Sequence, residues 1–520
     1  MVKSLVLPPG SAFNTARVKV LALIAGLACA LFPPLALKAV PENLFNPDLE
    51  QQEARFYSIQ PVPVPANIIL EPGGMAFAPD GTLAVCTRRG EVWTLRDSRW
   101  KRFAAGLDEP LGLLLINSNE MIVAQRSELT RLTDTHHDGA ADCFDTITAA
   151  WNYSGHPYEF TFGPVRDGQG NLFCALSCWC FPTKHYTQPP FIGWEMEPPP
   201  DYAPNTHPQW RGWCCQITPK GQFIPWASGF RSPNGLVITP AGDLLIMENQ
   251  GEYIGSDQLY HVHRGDFIGQ PTSMFWGEGA VEDPFAIPLE QLDSRRAQPI
   301  LVLPYDLMGR SASEPVFDLT AGKFGPYAGQ MFVGDVSQSR VMRATLQKVA
   351  GEYQGACYPF RRGFLSGCNR AVFAADGSLW IGETSRGWGS VGGRPCALER
   401  LVWRGAVPFE IQKMELTPSG FDLTFTKPVN PAGAGAATAY EFRHFYYKYD
   451  RVYFAPILGT EAAQVSAVNI SSDARTVSVR LPRLVTHQLY QVTLNGIKAA
   501  DGSALLHSTA YYTLNRLKND

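Results

Sequence analysis

Residues 230–271 read FRSPNGLVITPAGDLLIMENQGEYIGSDQLYHVHRGDFIGQP. Arg231 precedes a Ser-Pro-Asn-Gly turn, and a short apolar run, Leu236 to Ile238, follows. Pro240-Ala241-Gly242-Asp243 makes the next turn and Leu244 to Met247 a second apolar run. Glu248 to Glu252 is a polar loop that leads to a third run, Gln258 to Val262. Apolar runs of strand length, divided by Gly, Asp and Pro turns, predict a small antiparallel sheet whose polar groups collect on its loops.

Working outward, the same unit recurs. Segments beginning at Gly73, Glu109, Glu159, Ser232, Glu314 and Asn369 each give an apolar strand, an Asp, Asn or Gly turn and a second strand ending in a polar loop. Such a unit buries its faces only against neighbouring copies, and six of them closed radially predict an all-β, six-bladed β-propeller over residues 71–405. Residues 40–70 form an N-terminal extension, in which Phe56 to Leu70 is a candidate closing strand. Beyond Gly405 the register changes. Runs such as Ile411 to Leu416, Phe421 to Phe425 and Thr476 to Leu481, separated by Pro, Gly, Asn and Ser turns, predict an immunoglobulin-like β-sandwich over residues 406–520. The aromatic stretch from Phe442 to Tyr449 reads as a core and edge strand of that domain, with a carbohydrate or partner platform as the alternative.

The composition bounds the function. Net charge is −4, the pI is about 6.2, and there is no long basic run, so no nucleic-acid partner is indicated. Lys3, Arg17 and Lys19 precede an uncharged stretch ending near Leu37, which reads as a signal peptide over residues 1–39. The expected location is therefore the periplasm, the cell surface or the exterior, with no transmembrane span in the mature chain. Of the eleven cysteines one (Cys29) falls in the leader, so ten then meet an oxidising compartment. A Cys357–Cys368 disulfide is expected across the loop they flank, and the group Cys174, Cys178, Cys180, Cys214 and Cys215 reads as disulfides and buried thiols, since it has no Cys-x-x-Cys pair, with a metal site as the alternative. Nucleophile elbow, phosphate-binding loop and zinc-protease His pair are all absent from the sequence.

Some loops carry chemistry-bearing residues. Asp134, Asp138, Asp142 and Asp145 occupy the first, fifth, ninth and twelfth positions of a Ca²⁺-type loop with Gly139 at the sixth. His136 stands where an Asp or Asn is usual and Asp145 where a Glu is usual, and a plain Asp/Gly turn is the alternative. His156 precedes the third unit, on a loop where a histidine could act as general base near neutral pH, with a purely structural role as the alternative. Arg231 could clamp an anion or a developing oxyanion, or bridge blades. Arg386, in Arg-Gly-Trp-Gly-Ser, pairs a cation with an aromatic on a pliable loop, which suits a planar cofactor or sugar ligand or is merely a tight blade connection.

Residues 73–405 resemble the glucose/sorbosone dehydrogenase family of six-bladed propellers, soluble quinoproteins that use pyrroloquinoline quinone (PQQ) and Ca²⁺. They look most like the secreted, dehydrogenase-like propellers of planctomycete-type bacteria. The resemblance rests on Arg231-Ser-Pro-Asn-Gly-Leu236, Glu248-Asn-Gln-Gly251, Asp257-Gln-Leu with Gly269-Gln-Pro271, and Phe162-Gly-Pro164. It implies that Arg231 contacts the quinone, that Gln250 and the backbone of Gly251 hold quinone and Ca²⁺, and that His156 takes the substrate hydroxyl proton. The family has Asn directly after the arginine; here Ser232 stands there and Asn234 is the substitute. The expected function is oxidation of a sugar or alcohol hydroxyl by hydride transfer to Ca-bound PQQ, with an electron-acceptor protein downstream. The alternative is a non-catalytic propeller and sandwich that binds polysaccharide or a cell-surface protein.

Overall fold

The computed structural model describes residues 47–153, 158–178, 208–387, 389–453 and 455–519. The signal-peptide segment and His156 lie outside the described residues. Described strands fall into six four-stranded antiparallel units over residues 57–403. Their first strands are Pro72–Phe77, Leu113–Asn117, Thr161–Arg166, Gly235–Ile238, Ala312–Phe317 and Cys368–Phe373. Each first strand touches the next and the sixth returns to the first, so the six sheets close into a ring: a six-bladed β-propeller. Tyr57–Pro61, from before the first blade, pairs with Cys396–Trp403 and supplies the outermost strand of the sixth. Closure thus depends on hydrogen bonds between the two ends of the ring.

Blades meet through their apolar faces. Leu245, Met247 and Leu259 of the fourth blade share one buried cluster with Met331, Val333 and Met342 of the fifth. Near the axis the backbones approach too closely for side chains. A Cβ on Gly112 would sit 1.5 Å from the carbonyl oxygen of Gly163 in the neighbouring blade. A Gly112→Ala variant is therefore expected to force the two backbones apart at a cost of about 1–3 kcal/mol, read as a lower urea midpoint at unchanged m-value. An unchanged midpoint would show that the ring yields freely here.

C-terminal to the ring, Ile411–Thr417, Gly420–Phe425, Thr476–Arg480 and Ala467–Ile470 form one sheet. Facing it are Tyr440–Tyr447, Ile457–Ala463, Gln488–Leu494 and Thr509–Leu514. Both layers feed one core, in which the Phe421 and Phe442 rings stack at 5.7 Å and Tyr490 and Tyr512 are buried beside them. This second layer continues into the propeller, because Tyr511–Thr513 pairs with Gly355–Cys357 in Glu352–Arg362, the outermost strand of the fifth blade. Arg343 fastens the same junction. Its guanidinium lies between the rings of Tyr327 and Tyr358 and donates to the carbonyls of Ile411 and Gln412.

The expected Cys357–Cys368 disulfide is not formed. Cys357 is on the outermost strand of the fifth blade and Cys368 on the innermost strand of the sixth, so the blade geometry separates them. All nine described cysteines are free thiols. Among the described residues, no helix is long and apolar enough to cross a membrane.

Candidate functional site

One structural device positions the loops at one face of the ring. In several blades a polar side chain at or just past the end of the second strand accepts hydrogen bonds from amides of the loop that enters the first strand. Gln125 accepts from Asp108 N at 2.5 Å and Ser177 from Phe160 N at 2.5 Å. Glu248 accepts from Arg231 N at 3.0 Å and Ser232 N at 2.5 Å, Asp335 from Arg310 N at 2.6 Å, and Glu383 from Ser366 N at 2.6 Å. The carboxylates are deeply buried. Burial pushes Glu248 up to about 8, against the pull of the Ser232 and Arg231 amides. Burial, then the neighbouring Asp335, raises Asp257 to about 8 as well. Asp257 accepts from Gln250 N and from Ala312 N of the next blade, which fixes the Gln250 loop.

These loops converge on a pocket at the mouth of the channel, to which all six blades and Tyr453 of the C-terminal region contribute. Volume alone would favour a cleft of about 410 Å³ between the fourth blade and the C-terminal strands over this pocket of about 110 Å³. Convergence of loops decides otherwise, because the mouth alone gathers groups from every blade.

Cations dominate the wall. Glu109 binds Arg88 at 2.6 Å and Arg386 at 3.3 Å, and also pairs with Arg126. Glu71 binds Arg386 at 3.1 Å and Arg89 at 2.9 Å. Burial opposes the Glu109 anion, but Arg88 and Arg126 outweigh it and hold its carboxyl below the usual range. Four guanidiniums on two carboxylates leave the cluster cationic. Arg88 and Arg126 also lie over the Phe160 ring, at 5.0 and 4.9 Å. Arg231, across the pocket, pairs with Glu252 at 2.8 Å, donates to Gln250 O and lies 5.1 Å over the Tyr453 ring. Gly251 makes this placement possible, since a Cβ there would meet the Arg231 guanidinium at 2.2–2.3 Å.

The floor is built on Arg370, fully buried near the axis. It donates to the carbonyls of Gly73 at 2.6 Å and Leu111 at 3.2 Å and to Asn234 Oδ1 at 3.0 Å. Asn234 donates in turn to Asn369 Oδ1 at 3.3 Å. Two buried acceptors in the wall, Asn249 Oδ1 and Gln250 Oε1, have no hydrogen-bond partner among the described residues. Leaving such an oxygen unsatisfied costs about 1–3 kcal/mol, so both are prepared for a donor or a hard cation.

Of the residues singled out in the sequence, Arg231, Asn234, Gln250 and Arg386 line the pocket, and Gly251 packs beneath Arg231. Asp134, Asp138, Asp142 and Asp145 belong to the second blade and do not line it. Asp134 accepts from the amides of Asp138 and Gly139, Asp138 from Ala140 N, and Asp142 from Thr135 N and Oγ1. Asp145 lies in the strand Cys143–Thr148, where it accepts from the Cys143 thiol. The sequence reading passed over Arg88, Arg126, Glu109, Asn249, Phe160 and Tyr453.

No family model and no curated relative matches the chain. Among solved structures, it is similar to an oxidoreductase described as a glucose dehydrogenase from Thermus thermophilus, at 16% identity and a TM-score of 0.47, covering 66% of this chain and 100% of that one. It is similar to the PQQ-bound aldose sugar dehydrogenase of Streptomyces coelicolor at 15% identity and a TM-score of 0.43, over 66% and 98% of the two chains. For the apo soluble aldose sugar dehydrogenase of Escherichia coli the values are 14%, 0.46, 67% and 100%. The solved structures that this chain is similar to thus include glucose and aldose sugar dehydrogenases.

Proposed function

We propose that the pocket binds a planar, polyanionic quinone of the PQQ type and oxidises a sugar or alcohol hydroxyl, in a protein exported from the cytoplasm. The observation that carries this reading is the meeting of a cationic wall, two aromatic faces and two orphaned amide oxygens at one channel mouth. The donor set fits such a group. Arg88, Arg231 and Arg386 bring three guanidinium charges to the carboxylates of such a ligand, and Phe160 and Tyr453 add aromatic walls. Asn249 Oδ1 and Gln250 Oε1 accept from ligand hydroxyls or contribute to a Ca²⁺ shell. When bound, a quinone supplies a two-electron acceptor for the hydroxyl-bearing carbon. The chain's own part is to orient the substrate, to exclude water with Tyr158 and Tyr453, and to take the hydroxyl proton at an imidazole nitrogen of His156, two residues before Tyr158.

The test is calorimetric titration of the purified protein with PQQ and Ca²⁺, followed by dye reduction across aldoses and alcohols. Turnover requiring both additions is expected. Arg231→Ala should weaken quinone binding about 10–150-fold, the range for losing a hydrogen bond to a charged group. Absence of quinone binding would sink the proposal. Glycan binding without dye reduction would instead place the protein among carbohydrate-binding propellers.

A further inference from the structure

The opposite face of the ring holds a second constellation. The third strand of the fourth blade, Asp257–His261, runs antiparallel to Leu244–Glu248, so it ends at the face away from the pocket. There His261 and His263, two residues apart, bring their rings to 4.0 Å between centroids. Glu352, at the start of the outermost strand of the fifth blade, faces them, with Oε2 3.9 Å from His261 Nδ1. One ligand atom from each of the three residues lies within 4.8 Å of the others.

His261 is oriented from behind. Asp243 Oδ1 is 3.6 Å from its Nε2, while the other Asp243 oxygen accepts from Tyr353 OH at 2.8 Å and from Lys348 Nζ at 3.4 Å. The Tyr353 ring packs edge-on against the imidazole at 5.3 Å. Nδ1 is buried and has no hydrogen-bond partner among the described residues; in the tautomer whose Nε2–H faces Asp243 it presents a lone pair. Its facing group, the Glu352 carboxylate, is also an acceptor. Two acceptors facing each other, with a third ligand nitrogen alongside, call for a cation between them.

We infer that His261, His263 and Glu352 form a transition-metal site of the zinc type that ties the fourth blade to the fifth. Two imidazoles and one carboxylate favour Zn²⁺ or a similar borderline ion over Ca²⁺ or Mg²⁺, which take oxygen shells. The Asp243–His261 pair supplies the carboxylate–histidine arrangement that orients metal ligands. Tetrahedral Zn²⁺, with bonds of about 2.0–2.1 Å, needs ligand atoms about 3.3 Å apart. The closing movement falls to His263 and Glu352, whose side chains are 54% and 42% exposed and can turn without disturbing the core. A solvent molecule completes the shell.

The experiment compares purified wild type with a His263→Ala/Glu352→Gln variant, both stripped with chelator and then dialysed against Zn²⁺. Wild type is expected to retain one more equivalent of zinc by mass spectrometry of the metal and to gain more in Tm from zinc than the variant does. Asp243→Asn should keep the stoichiometry and weaken zinc about 10–100-fold, as for other outer-shell partners. Agreement of the unfolding midpoints without metal checks that the double variant folds. Equal zinc content and equal Tm response in wild type and double variant, at whatever level, overturn the inference.

Discussion

A Glu53→Ala variant is expected to lose about 3–5 kcal/mol of unfolding free energy, the usual consequence of removing one member of a buried ionic cluster. Glu53 lies in the last turn of the short helix Pro47–Ala54, and its carboxylate is almost fully buried. It accepts from Arg362 Nε at 3.1 Å and Arg362 N at 2.9 Å, and it approaches His507 Nε2 at 3.0 Å and Arg361 at 3.5 Å. His507 Nδ1 meets Glu410 at 2.6 Å. Without Glu53, two guanidiniums and an imidazolium share a buried space with one carboxylate. The cluster joins the N-terminal helix, the fifth blade and the C-terminal region, so its loss should be felt across the molecule.

The same cluster sets a pH dependence. Burial opposes charge on His507, but Glu410 and Glu53 outweigh it and raise the imidazole to about 9. A group raised in the folded state contributes fully below its unfolded pKa, near 6.5, and loses that contribution as pH rises through about 9. By about 1.4 kcal/mol per unit, this amounts to roughly 3 kcal/mol. Glu53 behaves oppositely. Burial again opposes its charge, yet His507 and Arg362 hold it below the ordinary value. Its contribution is present above pH 4.5 and is lost as pH falls through the lowered value. Urea unfolding from pH 5 to 9.5 should show declining stability in wild type and a flatter profile in His507→Gln. Parallel profiles would remove His507 as the cause.

Arg370→Leu carries the second large effect. It removes three hydrogen bonds that tie the first, second and fourth blades to the sixth near the axis, and it leaves the carbonyls of Gly73 and Leu111 buried without their donor. At about 1–3 kcal/mol for each orphaned group, a loss near 3–5 kcal/mol is expected, together with loss of ligand affinity as Asn234 and Asn369 shift. Arg370→Lys should recover less than half of the stability, because one ammonium cannot reproduce a fork that reaches several blades. Full rescue by lysine would mean that charge, not geometry, matters at this position. Urea unfolding measures the first effect and quinone titration the second.

The strand–turn–strand unit was legible because its information is local: two apolar runs and a Gly or Asp turn lie within about twenty residues, the scale on which hairpins are specified. Arg231 stood out for the same reason, adjoining such a turn, whereas Gln250 was marked only by the resemblance to the dehydrogenase family. Arg88 and Arg126 occupy the position just past the second strand in Cys86-Thr-Arg-Arg-Gly90 and Ala124-Gln-Arg-Ser127, as Asn249 and Gln250 do in the fourth blade. Superposing the repeats at that position, rather than reading each loop alone, exposes them. Tyr453 was beyond such a method. It reaches the pocket from the C-terminal region, and nothing near it in sequence marks it as a neighbour of Arg231. The cysteines show the converse error. Cys357 and Cys368 are close along the chain, but one lies on the rim of a blade and the other beside the axis.

The pairing of Thr509–Leu514 with Glu352–Arg362 bears on solubility. The outermost strand of a blade has one side of its backbone unpaired unless another strand covers it, and an exposed row of N–H and C=O groups is a template for self-association. At eleven residues, the outermost strand of the fifth blade is the longest strand in the ring among the described residues, and therefore the most hazardous of these edges. The chain's own last strand occupies part of it at Gly355–Cys357. The C-terminal region thus serves as a built-in stopper against polymerisation, and a ring cut free after residue 405 would carry an open end into every encounter with its own copies.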